Sequence, residues 1–247
     1  MGVNGRNNGN MGSKTSKTRK KDVEVLMPIY LYPNEENMNI YRRVVKRNVP
    51  MTVIINPNNG SDAVNAPNSD WRKVVKATQH VNTVGYVHLS YMKRDISLVK
   101  KEIQGYARNG WNVGGIFFDE TPSDRSRLEV IRELSEFTRE IFDKDDVKIF
   151  LNPGVPVHEK YFELADGIVI FEDFHSHFDP KLLLLRCDNS ASTKSAVIIR
   201  GVPDKEIKSI MNELKHSSIG YVFMTALDCE YHTPVDAYFF EKITREI

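Results

Sequence analysis

The sequence predicts a single (β/α)8 barrel. Three observations carry this expectation: eight short apolar runs rich in strand formers, a segment with helical character after each, and runs that stay apolar on both faces. Strands buried on both faces and alternating with helices belong to a parallel sheet that helices cover. Eight such units in about 226 residues match an ordinary barrel of this class. A doubly wound sheet would share the rhythm, but no glycine-rich phosphate turn follows the first run, which passes into Tyr32-Pro33-Asn34.

The units follow in order. The run at 25–32 precedes a helix at 37–48, and the run at 51–56 precedes one at 70–80, with Asp70 as N-cap of Trp71–His80. The third run, 83–88, leads to a helix over 95–109 that Asp95 opens and Asn109-Gly110 stops. The fourth, 114–119, leads to 125–143, opened by Ser123 or Asp124; the fifth, 147–152, leads to 156–165. After the sixth, 167–172, Asp179-Pro180 opens only the short patch Leu182–Leu185, so the helix at 179–186 is expected to be short or irregular. The last runs, 195–200 and 219–225, precede helices at 203–216 and 234–246 with Pro203 and Pro234 in their first turns.

Residues 1–21 differ from the rest. They are rich in Gly, Asn, Ser and Lys, hold almost no large apolar residue, and are expected to be a disordered basic tail, which leaves 22–247 as the barrel domain. The tail has six basic and no acidic residues; taking it from the whole-chain charge of +1 leaves −5 on the folded body. Lys14, Lys17, Arg19, Lys20 and Lys21 are read as a solvated terminus, because no aromatic residue interleaves them as base stacking needs. Neither nucleic acid nor a membrane is therefore an expected partner, and no run approaches membrane-spanning length. The tail lacks the continuous apolar core of a signal peptide, and Arg6 stands where a myristoylation motif needs Ser or Thr. The compartment stays open. Cys187 and Cys229 can pair in an oxidising compartment or remain thiols in a reducing one, and their spacing makes no metal motif.

In barrels of this class chemistry sits at the C-terminal ends of the strands. Those ends offer Tyr30 and Tyr32, Asn56 and Asn58, Tyr86, His88 and Tyr91, Asp119 and Glu120, Asn152, Glu172 and Asp173, Arg200, and Thr225. Aromatic faces stack on pyranose rings, amides bond hydroxyls, and paired carboxylates do acid and base work, so the inventory suits a sugar. No strand end sets a Ser or Cys beside a general base in recognisable spacing, which argues against acyl transfer.

Six ordered motifs carry a family resemblance: MPIYLYP (27–33), VPMTVIINPNNG (49–60), VNTVGYVHLSYMKRD (81–95), VGGIFFDETP (113–122), IFLNPGVPV (149–157) and ADGIVIFED (165–173). From about residue 25 to the end the chain resembles the spherulin-4-like proteins, (β/α)8 barrels that include the fungal glycoside hydrolase family 135. The resemblance implies cleavage of α-1,4-linked galactosamine and N-acetylgalactosamine polymers, such as the galactosaminogalactan of fungal biofilms. It also implies that Asp119, Glu120 and Glu172 are the essential acids, and that relatives are mostly secreted.

Glycosidic cleavage needs one protonated carboxyl for the leaving oxygen and one ionised carboxylate to attack or to activate water. Asp119 and Glu172 can supply the two, on strands about 9 to 10 Å apart at the backbone, and side chains can close that gap to either stereochemical separation. Resemblance favours retention, with Asp119 as nucleophile and Glu172 as general acid/base. Strand alternation sends neighbours to opposite faces, so Glu120 shares the site only if the strand ends before it, as Thr121-Pro122 suggests; a structural acid bonded to backbone N–H groups is the alternative. Asn56 and Asn152 each precede proline, which holds an amide extended, although turn chemistry is also open to them. His88, Tyr30, Tyr32, Tyr86 and Tyr91 are candidate sugar contacts, each with an ordinary packing role as the alternative. Trp71 and Trp111 are read as packing, and His175 and His177 as a loop at the cleft's far wall.

The leading expectation is a glycosidase that needs no metal or cofactor, has a polysaccharide as its partner and works as a monomer. Two other classes stand beside it. One is a non-catalytic carbohydrate-binding developmental protein, since fold does not fix function. The other is a metal-dependent hydrolase using Asp119, Glu120, Glu172 and His88, against which the histidines lack ligand spacing of the HExxH kind.

Overall fold

Eight apolar runs become eight parallel strands, each bonded to the next and the last to the first, in a closed barrel. The computed structural model describes residues 23–185, 193–227 and 237–247. The expectations for the 1–21 tail, Cys187, Cys229 and Pro234 lie outside these residues. The strands are β1 Glu24–Ile29, β2 Met51–Ile55, β3 Asn82–His88, β4 Gly115–Asp119, β5 Lys148–Leu151, β6 Gly167–Phe174, β7 Ser195–Arg200 and β8 Tyr221–Met224. Around them run α1 Glu35–Val45, α2 Ser69–Thr78, α3 Ile96–Arg108, α4 Leu128–Phe142, α5 Pro180–Leu185, α6 Ile207–His216 and α7 Ala237–Arg245. Among the described residues no helix is long and apolar enough to cross a membrane.

Strand alternation divides the apolar residues between two cores. Leu26, Ile54, Val84, Tyr86, Phe117, Phe150, Val169, Ala196, Ile198 and Tyr221 fill the lumen. Their neighbours, such as Val25, Met27, Val53 and Ile116, face outward and pack on helix residues including Tyr41, Val74, Ile103 and Leu134. Two glycines are fixed by close approach: a Cβ on Gly115 would stand 1.8 Å from the Lys148 carbonyl oxygen, and one on Gly85 would stand 2.6 Å from the Tyr106 ring.

Several helix signals act as expected. Asp95 caps α3 through the Ser97 N–H, Asn109 ends it, and Gly110 turns away at φ +85°. Trp71 and Trp111 are buried and meet edge to face. Others are corrected. Asn68, not Asp70, caps α2, because its Oδ1 accepts from both Asp70 and Trp71 N–H while the Asp70 carboxylate is taken by Lys73 and Tyr32. Asp124 caps a 3-10 turn, Arg125–Arg127, that leads into α4. Pro203 likewise precedes a 3-10 turn, Asp204–Glu206, at φ −64° and ψ 139°, so it stands before the helix and not in its first turn.

The largest departure is the fifth unit. In place of a helix at 156–165 there is only the 3-10 turn Glu159–Glu163. Pro153 and Pro156 take up the first part of this connection, where they withhold the N–H groups a helix needs. Tyr161, Leu164 and Ala165 are still buried, and the Tyr161 hydroxyl anchors the turn by donating to the Asp124 carbonyl at 2.8 Å.

Candidate active site

Lumen alternation, followed upward, selects the residues at the barrel mouth. From the inner-core positions it leads to Tyr30, Asn56, His88, Asp119, Asn152, Arg200 and Thr225 at the tops of seven strands. In β6 strict alternation from Val169 would turn Phe171 and Asp173 inward. The β6–β7 pairing slips between Val169 and Phe171, however, so that Glu172 stands opposite Ile198 and Phe174 opposite Arg200. A bulge of this kind re-aims the side chains beyond it. It puts Glu172 in the mouth.

Asn152 joins the two acids. Its Nδ2 donates to Asp119 Oδ1 at 2.8 Å and to Glu172 Oε2 at 2.6 Å. Both bonds share one nitrogen, so these carboxylate oxygens lie no farther apart than the two lengths laid end to end, about 5.4 Å. The Asp119 Oδ1 also accepts the Glu120 N–H at 2.8 Å, and its Oδ2 accepts the Tyr86 hydroxyl at 2.6 Å. Glu172 is held by its own N–H, which donates to the Gly154 carbonyl at 3.1 Å. Gly154 turns there at φ +67°, close beneath the Glu172 Cβ.

Burial pushes the Asp119 carboxyl above the usual carboxylate range, while the bonds from Tyr86, Glu120 and Asn152 oppose the rise. Burial raises Glu172 as well; the Asn152 bond opposes it, the Asp119 charge adds to it, and the Arg200 charge opposes it. Water nonetheless reaches the Glu172 side chain, which counts as exposed. The acid sits in an open pit whose walls crowd it, and water tempers the size of the shift but not its direction. Three donors stabilise ionised Asp119 against one for Glu172.

The remaining expected residues divide. Tyr30 meets Tyr86 edge to face at 5.3 Å, and burial followed by the Asp119 charge raises its phenol well above the ordinary value. Tyr86 packs on Phe117 within the lumen core and bonds Asp119, so it is a partner of the acid more than a free sugar contact. Asn56 donates to Asn59 Oδ1 at 3.4 Å while its own Oδ1 is buried without a partner. His88 lies 3.1 Å from Ser90 Oγ and 3.8 Å from Glu120 Oε2, and its carbonyl accepts from Arg94. Glu120 leaves the strand at φ +50°, as an ended strand requires, and its carboxylate lies toward His88, on the opposite flank from Asn152's bridge. Tyr32 and Tyr91 are the outliers: both are more than half exposed, Tyr32 is tied to Asp70 and packs on Trp71, and the Tyr91 N–H donates to the Glu120 carbonyl. His177 pairs with Asp173 at 2.8 Å. Arg200, a strand-top residue outside the expected site, belongs to it by alternation, the signal that could have found it.

Among the described residues no group of three or more His, Cys, Asp or Glu side chains is disposed to hold a metal ion. The Asn152 amide hydrogens occupy the space between Asp119 and Glu172 that a shared cation would take.

The model of the spherulation-specific family 4 matches residues 24–244. The chain belongs to this family. Spherulin-4 of Physarum polycephalum is 28% identical over 229 residues, spanning 87% of this chain and 68% of that protein. The crystal structure of Aspergillus clavatus Sph3 in complex with GalNAc superposes with a TM-score of 0.79 at 25% identity, over 91% of this family member and 98% of that chain. A GH18 chitinase from Pseudoalteromonas aurantia is similar in fold alone, with a TM-score of 0.61 at 11% identity over 90% of this chain and 99% of its own.

Proposed function

We propose that this spherulin-4 family member is a retaining, endo-acting glycoside hydrolase for α-1,4-linked galactosamine and N-acetylgalactosamine polysaccharide, of which galactosaminogalactan is the model. The observation that carries the reading is the Asn152 bridge, which keeps the bridged oxygens of the two carboxylates within about 5.4 Å of each other, as the roughly 5 Å separation of a retaining pair requires. The sugar class is supported by family membership and by Sph3, which was crystallised with GalNAc.

Ionised Asp119 attacks the anomeric carbon. Its Oδ1 is occupied by two donors, so Oδ2, with the single Tyr86 bond, keeps a lone pair for the attack. Glu172, raised by its surroundings, donates its proton to the leaving oxygen and then, as carboxylate, takes one from the water that releases the glycosyl group from Asp119. The Tyr86 and Asn152 donors hold Asp119 for this step. No metal enters the scheme.

The test is oligosaccharide release from purified galactosaminogalactan, read by mass spectrometry. Asp119→Asn and Glu172→Gln are each expected to lower the rate by about 10²- to 10⁴-fold or more. Full activity in either variant removes that residue from the mechanism, and unchanged polymer length with the unaltered protein, glycan binding notwithstanding, selects the non-catalytic alternative.

A further inference from the structure

Arg200 closes β7 in line with the lumen residues Ala196 and Ile198. Its backbone is pinned on both sides. It pairs with Phe174 across β6 and β7; beyond it Gly201 turns at φ +64° and donates to the Leu227 carbonyl at 3.1 Å, and Val202 donates to the Thr225 carbonyl at 2.9 Å. The guanidinium lies over the Phe174 ring, 4.5 Å from its centre. From there its charge acts on both Glu172 and Asp173.

Its bonding is unlike that of two other arginines among the described residues. Arg94 grips Glu102 with two bonds, and Arg139 takes the Val147 carbonyl and Asp166. Arg200 has two carboxylates beside it on β6 but ion-pairs with neither among the described residues, and its Nε is buried without a partner. Stacking on Phe174 keeps the cation from closing onto Glu172, where a direct pair would hold that acid ionised and deprive it of its proton. A buried Nε–H without an acceptor is costly unless a ligand brings one, and the planar fork that carries it is fixed on an aromatic face toward the mouth.

We propose that Arg200 is a substrate-contacting residue that donates to acceptor oxygens of the sugar unit beside Glu172 and repels a free ammonium there. It thereby sets which charge state of the polymer this subsite takes. The inference rests on the glycosidase reading above. Like charges a few ångströms apart in a partly desolvated cleft discriminate by tenfold or more.

The experiment is calorimetric binding to the Glu172→Gln protein, with two α-1,4-linked galactosamine tetrasaccharides as probes, one fully N-acetylated and one with free amines. Adding Arg200→Gln is expected to weaken the acetylated probe about tenfold and not the free-amine probe, so the affinity ratio falls by about tenfold. Adding Arg200→Lys keeps the charge but loses the fork; it is expected to weaken both probes while preserving discrimination. If Arg200→Gln leaves the ratio unchanged, whether or not both affinities fall, the inference is overturned and the glycosidase reading survives. Should the glutamine variant fail to fold, loss of discrimination in the lysine variant overturns it equally. If neither probe binds the Glu172→Gln parent, the glycosidase reading fails and takes the inference with it.

Discussion

At the scale of the residue the site depends on how two acids are kept unequal. Asp119 has three donors to stabilise its charge, and Glu172 has one bond from Asn152 and the unpaired charge of Arg200. The inequality has a consequence for stability. The folded state raises the Glu172 pKa, so it favours the protonated form; the stability this contributes is complete below the unfolded-state value near 4.3 and is lost as pH rises through the higher folded value. At neutral pH the ionised acid therefore works against folding. Glu172→Gln abolishes the titration and keeps an acceptor for the Asn152 amide. It is expected to melt above the unaltered protein at pH 7, by a modest margin because water reaches the side chain, with the advantage gone below about pH 4. A lower melting temperature at pH 7 would contradict this account. The individual residues were unevenly legible. Asp119 follows from a hydrophobic strand that ends on an acid, and Asn56 and Asn152 from amides before proline. The bridging role of Asn152 does not follow, since it depends on side-chain distances between three strands.

At the scale of the element, the bulge in β6 decides which acid enters the mouth. Simple alternation from Val169 points to Asp173, and family resemblance points to Glu172; the slipped register turns Glu172 into the mouth. The bulge leaves no mark that periodicity can read, because GIVIF is apolar throughout. Strand positions were otherwise clear from the apolar runs, whereas caps were harder: several Asn, Asp and Ser residues compete near each helix start, and only coordinates show which oxygen meets an N–H. The fifth helix fails because Pro153 and Pro156 withhold N–H groups where it would begin. A second element-level device was not legible at all. Arg94, in the loop after β3, binds buried Glu102 of α3 at 2.6 and 3.0 Å and donates to the His88 carbonyl at 2.7 Å, tying helix to strand top. Arg94→Met leaves the Glu102 carboxylate buried and unpaired, and should cost about 3–5 kcal/mol of unfolding free energy in a denaturant titration. A loss under about 1 kcal/mol would mean that the pair is as weak as a surface ion pair.

At the scale of the whole molecule, a closed barrel turns one rule into one place. Lumen alternation on seven strands, with a bulge re-aiming β6, delivers aromatic, amide, acidic and basic side chains to a single mouth, and Tyr32 and Tyr91 stand exposed on the surrounding loops. The central claim is that two of these side chains act on one sugar at the short separation. The most direct measurement is proton NMR of the anomer first released when the protein cleaves an α-1,4-linked N-acetylgalactosamine oligomer, recorded before mutarotation. The account predicts the α-anomer. The β-anomer appearing first would contradict it.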